Sequence, residues 1–268
     1  MKEYKIIDNI RVYHDDIEES HNDYNSEHLK SLYKHEQKHF WFLARKEFIS
    51  KQVEHLFTKN SKIIEIGSGT GSVTKSLMEC GFSNVSVGDM HLSGLKYAKS
   101  YGIENCYQFD LLRCPFRNEF EVVCMFDVLE HIHDTDKALQ GVSRMLKDKG
   151  SVVLTLPAHN WLWSRDDTIA GHKKRYTKKQ IEKELIKNGF EVITSQYFFS
   201  AIVPLLLLRR FLKPDNKKPV RSTELNQDIS INRYLNQVLY LLSSLEHKCN
   251  SFTPNLFGGS LFVVGRKK

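Results

Sequence analysis

The sequence of 268 residues predicts an α/β protein built on a doubly wound, mostly parallel sheet with helices on both faces. Two observations predict it. Between residues 62 and 199 short apolar runs alternate with helical patterns, an order that calls for a parallel sheet covered on both sides. One of those runs, "KIIEI" (62–66), passes directly into a loop holding Gly67, Gly69 and Gly71 and then into a helix. Such a junction seats a ligand at the carboxyl edge of an open sheet.

Taken in order, residues 1–30 are polar, carry several acids and show no clear period, so a loosely ordered arm is expected. Residues 35–57 are helical in character, with apolar positions 42, 49, 53, 56 and 57 near helical spacing, and form a helical cap within 31–60. Strands are expected at 62–66, 84–89, 105–110, 120–127, 151–157 and 190–199. Helices are expected at 71–80, 92–101, 134–147 and 177–188, the first, third and last stopped by Gly81, Gly150 and Gly189. A helical insertion over 200–258 follows: an apolar piece at 201–212, a Pro/Lys-rich linker through Val220 and a helix over 232–248. At about 60 residues it is too small to hold more than a marginal core alone. A closing antiparallel strand at 259–268 completes seven strands in one domain over 31–268, with 61–199 as the cofactor-binding core.

Composition sets the outer limits. Hydrophobic content of 41% and charged content of 26% are ordinary for a soluble protein. No targeting segment is read at the N-terminus, and the apolar run Tyr197–Leu208 is shorter than the ~20 residues of a membrane span. Five scattered cysteines without metal spacing point to a reducing compartment, expected to be the cytoplasm. The net charge of +7 concentrates at 172–187, 209–221 and the tail. It fits either a solvated face with a basic linker or an anionic partner. The apolar segment beside the basic one suits a peripheral membrane contact through 197–221 and a lipid-linked acceptor. A cover for the sheet edge or a homodimer contact explains it as well.

The glycine spacing is G-x-G-x-G, not the dinucleotide fingerprint G-x-G-x-x-G. Glu65 stands two residues before the first glycine, where a carboxylate repels a pyrophosphate and attracts an ammonium or sulfonium centre. Asp89 ends the next strand, placed for the hydroxyls of a ribose, and Asp110 ends the third, placed for an adenine amino group. Three acids at successive strand ends suit a cationic adenosine ligand without phosphates.

On these residues the chain resembles class I S-adenosylmethionine-dependent methyltransferases, in the branch whose fourth motif reads like "DVLEH". "EIGSGTG" (65–71) matches the first motif, Asp89 the second, "FDLL" (109–112) the third and "FDVLEHI" (126–132) the fourth. The resemblance implies a Rossmann-like fold and S-adenosyl-L-methionine as cofactor. It places Glu65, Gly67, Ser68, Gly69, Gly71, Asp89, Met90, Asp110, Leu111, Phe126 and Asp127 around that cofactor. In "HFWFLARK" (39–46) it gives Arg45 the cofactor's carboxylate, with Trp41 and Phe42 as a lid or as core packing.

Asp127, Glu130 and His131 stand at i, i+3 and i+4, so on a helical turn they would share a face. His131 is the expected base, its tautomer fixed by Glu130, because imidazole titrates near neutrality. Some quinone O-methyltransferases and small-RNA 2′-O-methyltransferases bind a divalent metal through acid-x-x-Glu-His here. No metal is assigned, since the first acid is the short Asp127 and a fourth ligand would have to come from elsewhere. The long loop 157–177 carries two Trp, Asp166, Asp167, His172, Arg175 and Tyr176, and is expected to hold the acceptor, with His172 and Arg175 suited to an anionic or polyhydroxyl group. The favoured activity is methyl transfer to oxygen on a small-molecule, glycan or lipid-linked acceptor. An RNA methyltransferase is disfavoured, since the Asn/Asp-Pro-Pro-aromatic signature is missing. An NAD-dependent dehydrogenase is disfavoured by the glycine spacing, and a binding or scaffold protein by the intact motifs.

Overall fold

The computed structural model describes residues 3–17, 26–212, 214–215, 231–249 and 256–268. Its strands are β1 (Lys5–Ile7), β2 (Ile10–Val12), β3 (Ile63–Ile66), β4 (Val85–Asp89), β5 (Asn105–Gln108), β6 (Phe120–Phe126), β7 (Leu146–Pro157), β8 (Phe190–Phe198) and β9 (Ser260–Lys267). They form one sheet in the order β1-β2-β5-β4-β3-β6-β7-β9-β8. Strands β3 to β7 run parallel, and β9 lies antiparallel between β7 and β8. Strand order reverses at β3, which pairs with β4 on one side and β6 on the other. A ligand crevice belongs at the carboxyl end of that strand.

Two of the nine strands come from the stretch expected to be a loose arm. β1 and β2 pair antiparallel about Asp8 and Asn9, whose φ values of 51° and 60° make the left-handed two-residue turn that suits a twisted hairpin. β2 then joins the β5 edge in parallel, where Ile10 and Val12 are buried against Val87 and Leu95. Burial of those two side chains is what orders the segment.

The helical cap also differs. One helix was expected over 35–57; there are two, α1 (Ser26–His35) and α2 (Phe40–Leu56). His39 breaks the run with an extended backbone, its ring nitrogen accepting from the Trp41 amide as the N-cap of α2.

The remaining helices are α3 (Ser72–Glu79), α4 (Leu92–Ser100), α5 (Thr135–Met145), α6 (Arg165–Ile169), α7 (Lys178–Lys187), α8 (Val203–Leu212) and α9 (Arg233–Cys249). Alternate residues of β6 feed two cores, as the period of a strand requires. Val123 and Met125 join Leu139 and Val142 of α5 and Ile181 and Leu185 of α7. Val122, Cys124 and Phe126 join Phe48 of α2 and Leu77 of α3 on the other face. That second core also takes Ile202 and Leu239, so the insertion packs into the same interior. Tyr240 of α9 donates to Glu47 of α2 (3.0 Å), and Asn236 accepts from the Phe40 amide (2.8 Å). The linker expected through Val220 lies, apart from Pro214 and Asp215, outside the described residues. All five cysteines are unbridged, and no described helix is long and apolar enough to cross a membrane.

Candidate active site

β3 turns into α3 through Gly67, Gly69 and Gly71, at φ 64°, 52° and 78°. Two of these positions need glycine for different reasons. A Cβ on Gly71 would lie 2.8 Å from the Ala98 Cβ, so its absence lets the loop sit on α4. A Cβ on Gly69 would meet no atom within 4 Å. Its bare flank is therefore open, and a ligand can approach the backbone there closely. Ser68 beside it is buried with its hydroxyl unpaired.

Beneath the loop, Glu65 is 3% exposed, and its carboxylate accepts from the Thr74 amide (3.0 Å) and the Thr74 hydroxyl. Thr74 is in the first turn of α3, so the acid holds the helix N-terminus instead of facing the crevice as expected. Burial pushes its carboxyl up to about 7, against the pull of Thr74 and the Arg45 charge. Asp89 accepts from the amides of Gly69 (2.8 Å) and His91 (2.9 Å), which ties the open loop to the end of β4. Asp110 caps the turn Leu111–Arg113 through the Leu112 amide (2.8 Å) and pairs with Arg113 (3.2 Å). Met90 is 37% exposed at the end of β4, while Leu111 and Phe126 are buried at the ends of β5 and β6.

Arg45 of α2 reaches the carboxyl ends of β6 and β7, where Nη2 lies 2.8 Å from Asp127 and 3.1 Å from the Thr155 hydroxyl. Thr155 in turn donates to Asp127 (3.0 Å). Arg45 is thus at the crevice but partnered by a side chain. Trp41, partly buried, stacks on Phe199 at 4.4 Å and packs against the second core, the core-packing alternative and not the lid; Phe42 meets the His39 ring.

Asp127, Glu130 and His131 do not share a helical face. Asp127 sits at φ 56°, a strained backbone for a non-glycine, and its carboxylate turns to Arg45; a separate 3-10 turn, Leu129–His131, follows. Glu130 is fully buried with neither oxygen hydrogen-bonded. Burial, with the Asp127 charge adding, pushes its carboxyl well above the ordinary range. It gives His131 no orienting hydrogen bond.

Asp167 orients His172. The imidazole's Nδ1 lies 2.8 Å from Asp167, and its Nε2 lies 3.8 Å from Glu130. The His131 ring stands edge-on to it with centroids 4.9 Å apart. Asp167 is 2% exposed, caps α6 through the Ser164 amide (2.8 Å) and receives two bonds from Arg175 (2.7 and 3.0 Å). Burial alone would raise the Asp167 carboxyl; His172 and Arg175 outweigh it and hold it below the usual carboxylate range. Sequence reading placed Asp167 in the acceptor loop without a role. Its signal was Ser164-x-x-Asp167, a capping box that fixes the acid ahead of the histidine. His159, at φ 58° where β7 ends, was also missed; its ring stacks between Trp161 (5.2 Å) and Tyr197 (4.8 Å).

Glu130, His131 and His172 could together hold a metal ion, their ligand atoms lying within 4.8 Å of one another. The unpaired buried carboxylate fits a cation. The neighbouring open cleft, about 640 Å³, is lined by His133, Lys174, Lys183 and Lys187, but Lys187 is paired with Asp136 and Lys174 lies near Glu184.

A family model described as "Methyltransferase domain" matches residues 33–195. The chain belongs to that family. The match runs from the helical cap into β8. Among curated proteins, the ubiquinone biosynthesis O-methyltransferase of Erwinia tasmaniensis is 25% identical over 128 residues, 44% of this chain and 51% of that protein. The enzyme of the same name from Colwellia psychrerythraea is 29% identical over 123 residues, 40% of this chain and 50% of its own. The chain thus spans about half the length of the curated relatives it matches. Among solved structures, Haemonchus contortus phosphoethanolamine N-methyltransferase 2 with S-adenosyl-L-methionine superposes at TM-score 0.55 and 21% identity, covering 82% of this chain and 52% of that one. A Thermotoga maritima methyltransferase described as a possible histamine N-methyltransferase gives 0.53 and 16%, covering 91% and 100%. These likenesses show the fold. Among the described residues, two helices, α8 and α9, lie between the matched span and the last strand.

Proposed function

We propose that this methyltransferase acts on a hydroxyl of a small-molecule, glycan or lipid-linked acceptor, with His172 receiving the proton. The Asp167–His172 hydrogen bond is the observation that supports this most. With Nδ1–H donated to Asp167, Nε2 is left as the proton acceptor, facing the space bounded by Glu130 and His131. An amine acceptor needs no such base. The O-methyltransferase names of the curated relatives point the same way.

S-adenosylmethionine supplies the methyl already activated as a sulfonium. The open flank of Gly69, with Gly67, Ser68 and Gly71, is where the chain would hold it, Asp89 and Met90 taking the ribose side and Asp110 and Leu111 the adenine side. Arg45 would exchange Asp127 for the carboxylate of its methionine part. The residues then have three tasks. Asp167 fixes the imidazole tautomer, and His172 Nε2 takes the hydroxyl proton. Glu130, held neutral more readily than an ordinary carboxyl, adds little negative charge beside it. Alignment of the acceptor by the loop 157–177 supplies the rest of the rate. The unbridged cysteines support a reducing, cytoplasmic setting.

A second reading has its own observation: the two unpaired oxygens of buried Glu130 beside His131 and His172 suit a divalent cation that would bind the acceptor hydroxyl. One experiment separates the readings. Purified protein is given labelled S-adenosylmethionine with catechol-type phenols or phosphoethanolamine, with and without chelator. Transfer to the phenols is expected, and His172→Ala and Asp167→Asn should each lower turnover ~10²–10⁴-fold, the usual worth of a positioned base, with S-adenosylhomocysteine affinity unchanged. Transfer to the amine alone, undiminished in both variants, would overturn the proposal. Loss of activity in chelator, restored by a divalent ion, would transfer the role to the cation.

A further inference from the structure

We infer that the outer face of α8 and α9 docks on the surface of an anionic lipid bilayer. α9 turns Asn236, Leu239, Tyr240 and Ser243 inward, one or two turns apart. The opposite face of a helix that meets water is normally polar. Here it carries Tyr234, Leu235, Val238, Leu241, Leu242 and Leu245, each between 44% and 78% exposed. On α8, Leu208, Phe211 and Leu212 are exposed as well. Scattered exposed apolar side chains are ordinary; a stripe along a whole helix marks an interaction surface.

Charge selects a bilayer as the occupant. The two helices carry Arg209, Arg210, Arg233 and Lys248 against one acid, Glu246. That acid is spent on the amides of Ser200 (2.7 Å) and Ala201 (2.9 Å) at the start of α8. Arg209 is paired with Asp166, but Arg233 and Lys248 stand at the two ends of the α9 stripe with no acid of either helix left to oppose them, the composition of a helix that lies in the plane of an anionic membrane. At 1.5 Å per residue α9 is roughly 25 Å long, and no described helix can cross a membrane, so the contact is in-plane. A second copy fits less well. Two-fold antiparallel pairing of α9 would set the Arg233 end against the Lys248 end, cation on cation.

The face also continues to the acceptor side of the molecule. Arg209 donates to Asp166 (2.8 Å) and Arg210 to the Trp161 carbonyl, both in the loop that carries His172. Trp161 is 45% exposed there, an indole of the kind enriched at membrane interfaces. Docking would bring that loop to the lipid surface, whichever atom of the acceptor is methylated.

The test is sedimentation of the full chain with vesicles of phosphatidylcholine alone or mixed with phosphatidylglycerol, with no methyl donor present. Binding to the mixed vesicles that weakens with salt is expected. Leu241→Asp/Leu245→Asp should lower partitioning at least about tenfold, since one buried leucine is already worth that much. Both positions are exposed, so an unchanged thermal transition should confirm the variant's fold. Arg233→Gln/Lys248→Gln keeps the stripe and should weaken binding to the anionic vesicles only; it decides the matter if the first variant misfolds. Wild-type protein left in the supernatant with both vesicles, or variants that sediment like wild type, would overturn the inference. So would a dimer in light scattering that the Asp variant breaks while lipid binding is nil.

Discussion

Replacing Glu65 by glutamine isolates the cost of burying a carboxyl under the glycine loop. The group is 3% exposed and its pKa is pushed up to about 7 by burial. Between the ordinary 4.5 and about 7 the folded protein holds a proton that the unfolded chain has lost. Stability from this group is therefore complete below about 4.5 and declines as pH rises through about 7. At about 1.4 kcal/mol per pH unit the total is on the order of 3 kcal/mol. Glutamine stays neutral, and its amide oxygen can still accept from Thr74. Its stability should lack this decline. Urea unfolding of both proteins at about pH 4.5 and about pH 8 measures the difference, and the titration of acids that do not interact with Glu65 cancels between them. Wild type should lose about 3 kcal/mol more than the variant over that range. Parallel curves would refute the reasoning, because the carboxyl would then be as well solvated by Thr74 and Arg45 as by water.

Gly71→Ala should cost ~1–3 kcal/mol for crowding Ala98, plus about 1–2 for its left-handed backbone, read by thermal or urea unfolding. Gly69→Ala should cost only the backbone part yet weaken S-adenosylhomocysteine binding more than Gly71→Ala does per unit of lost stability, measured by titration calorimetry. Arg45→Ala leaves Asp127 with Thr155 alone and should lower stability by ~1.5–3 kcal/mol, with affinity for S-adenosylhomocysteine falling tenfold or more. An unchanged affinity would confine Arg45 to holding Asp127.

The alternation of strands and helices from residue 62 onward was legible because each apolar run is short, buried and closed by glycine or a cap. β3 is buried at all four positions, and α7 begins on the Thr177–Gln180 capping box. The N-terminal hairpin carried a readable signal in Asp8–Asn9 between "KII" and "IRV", but strands of three residues are too short for a period to show. The break at His39 was hidden because histidine caps a helix rarely and the apolar spacing runs on through it. At the site, sequence spacing located the glycine loop and the acids but not the directions their side chains take. Glu130 and His131 are adjacent in sequence, yet the partner that orients a histidine comes from Asp167, five residues before His172 and across the crevice from the motif. The meeting of His172 with Glu130 and His131 joins two separate loops; tertiary packing sets it, and local spacing does not encode it.

The position of β9 bears on how this enzyme can vary. Phe198 of β8 pairs with Ser260 of β9, so the whole insertion is one excursion of about sixty residues between two adjacent strands. Doubling or halving such an excursion changes its closure cost by only ~0.6 kcal/mol. The strand itself is secured by Leu261, Phe262, Val263 and Val264, all buried between β7 and β8. The segment between residues 200 and 258 can therefore be lengthened, shortened or exchanged in evolution or in the laboratory with little penalty to the sheet, provided the cover over Phe198 and Phe199 is kept. The surface that segment presents can diverge while the glycine-loop end of the molecule stays constant.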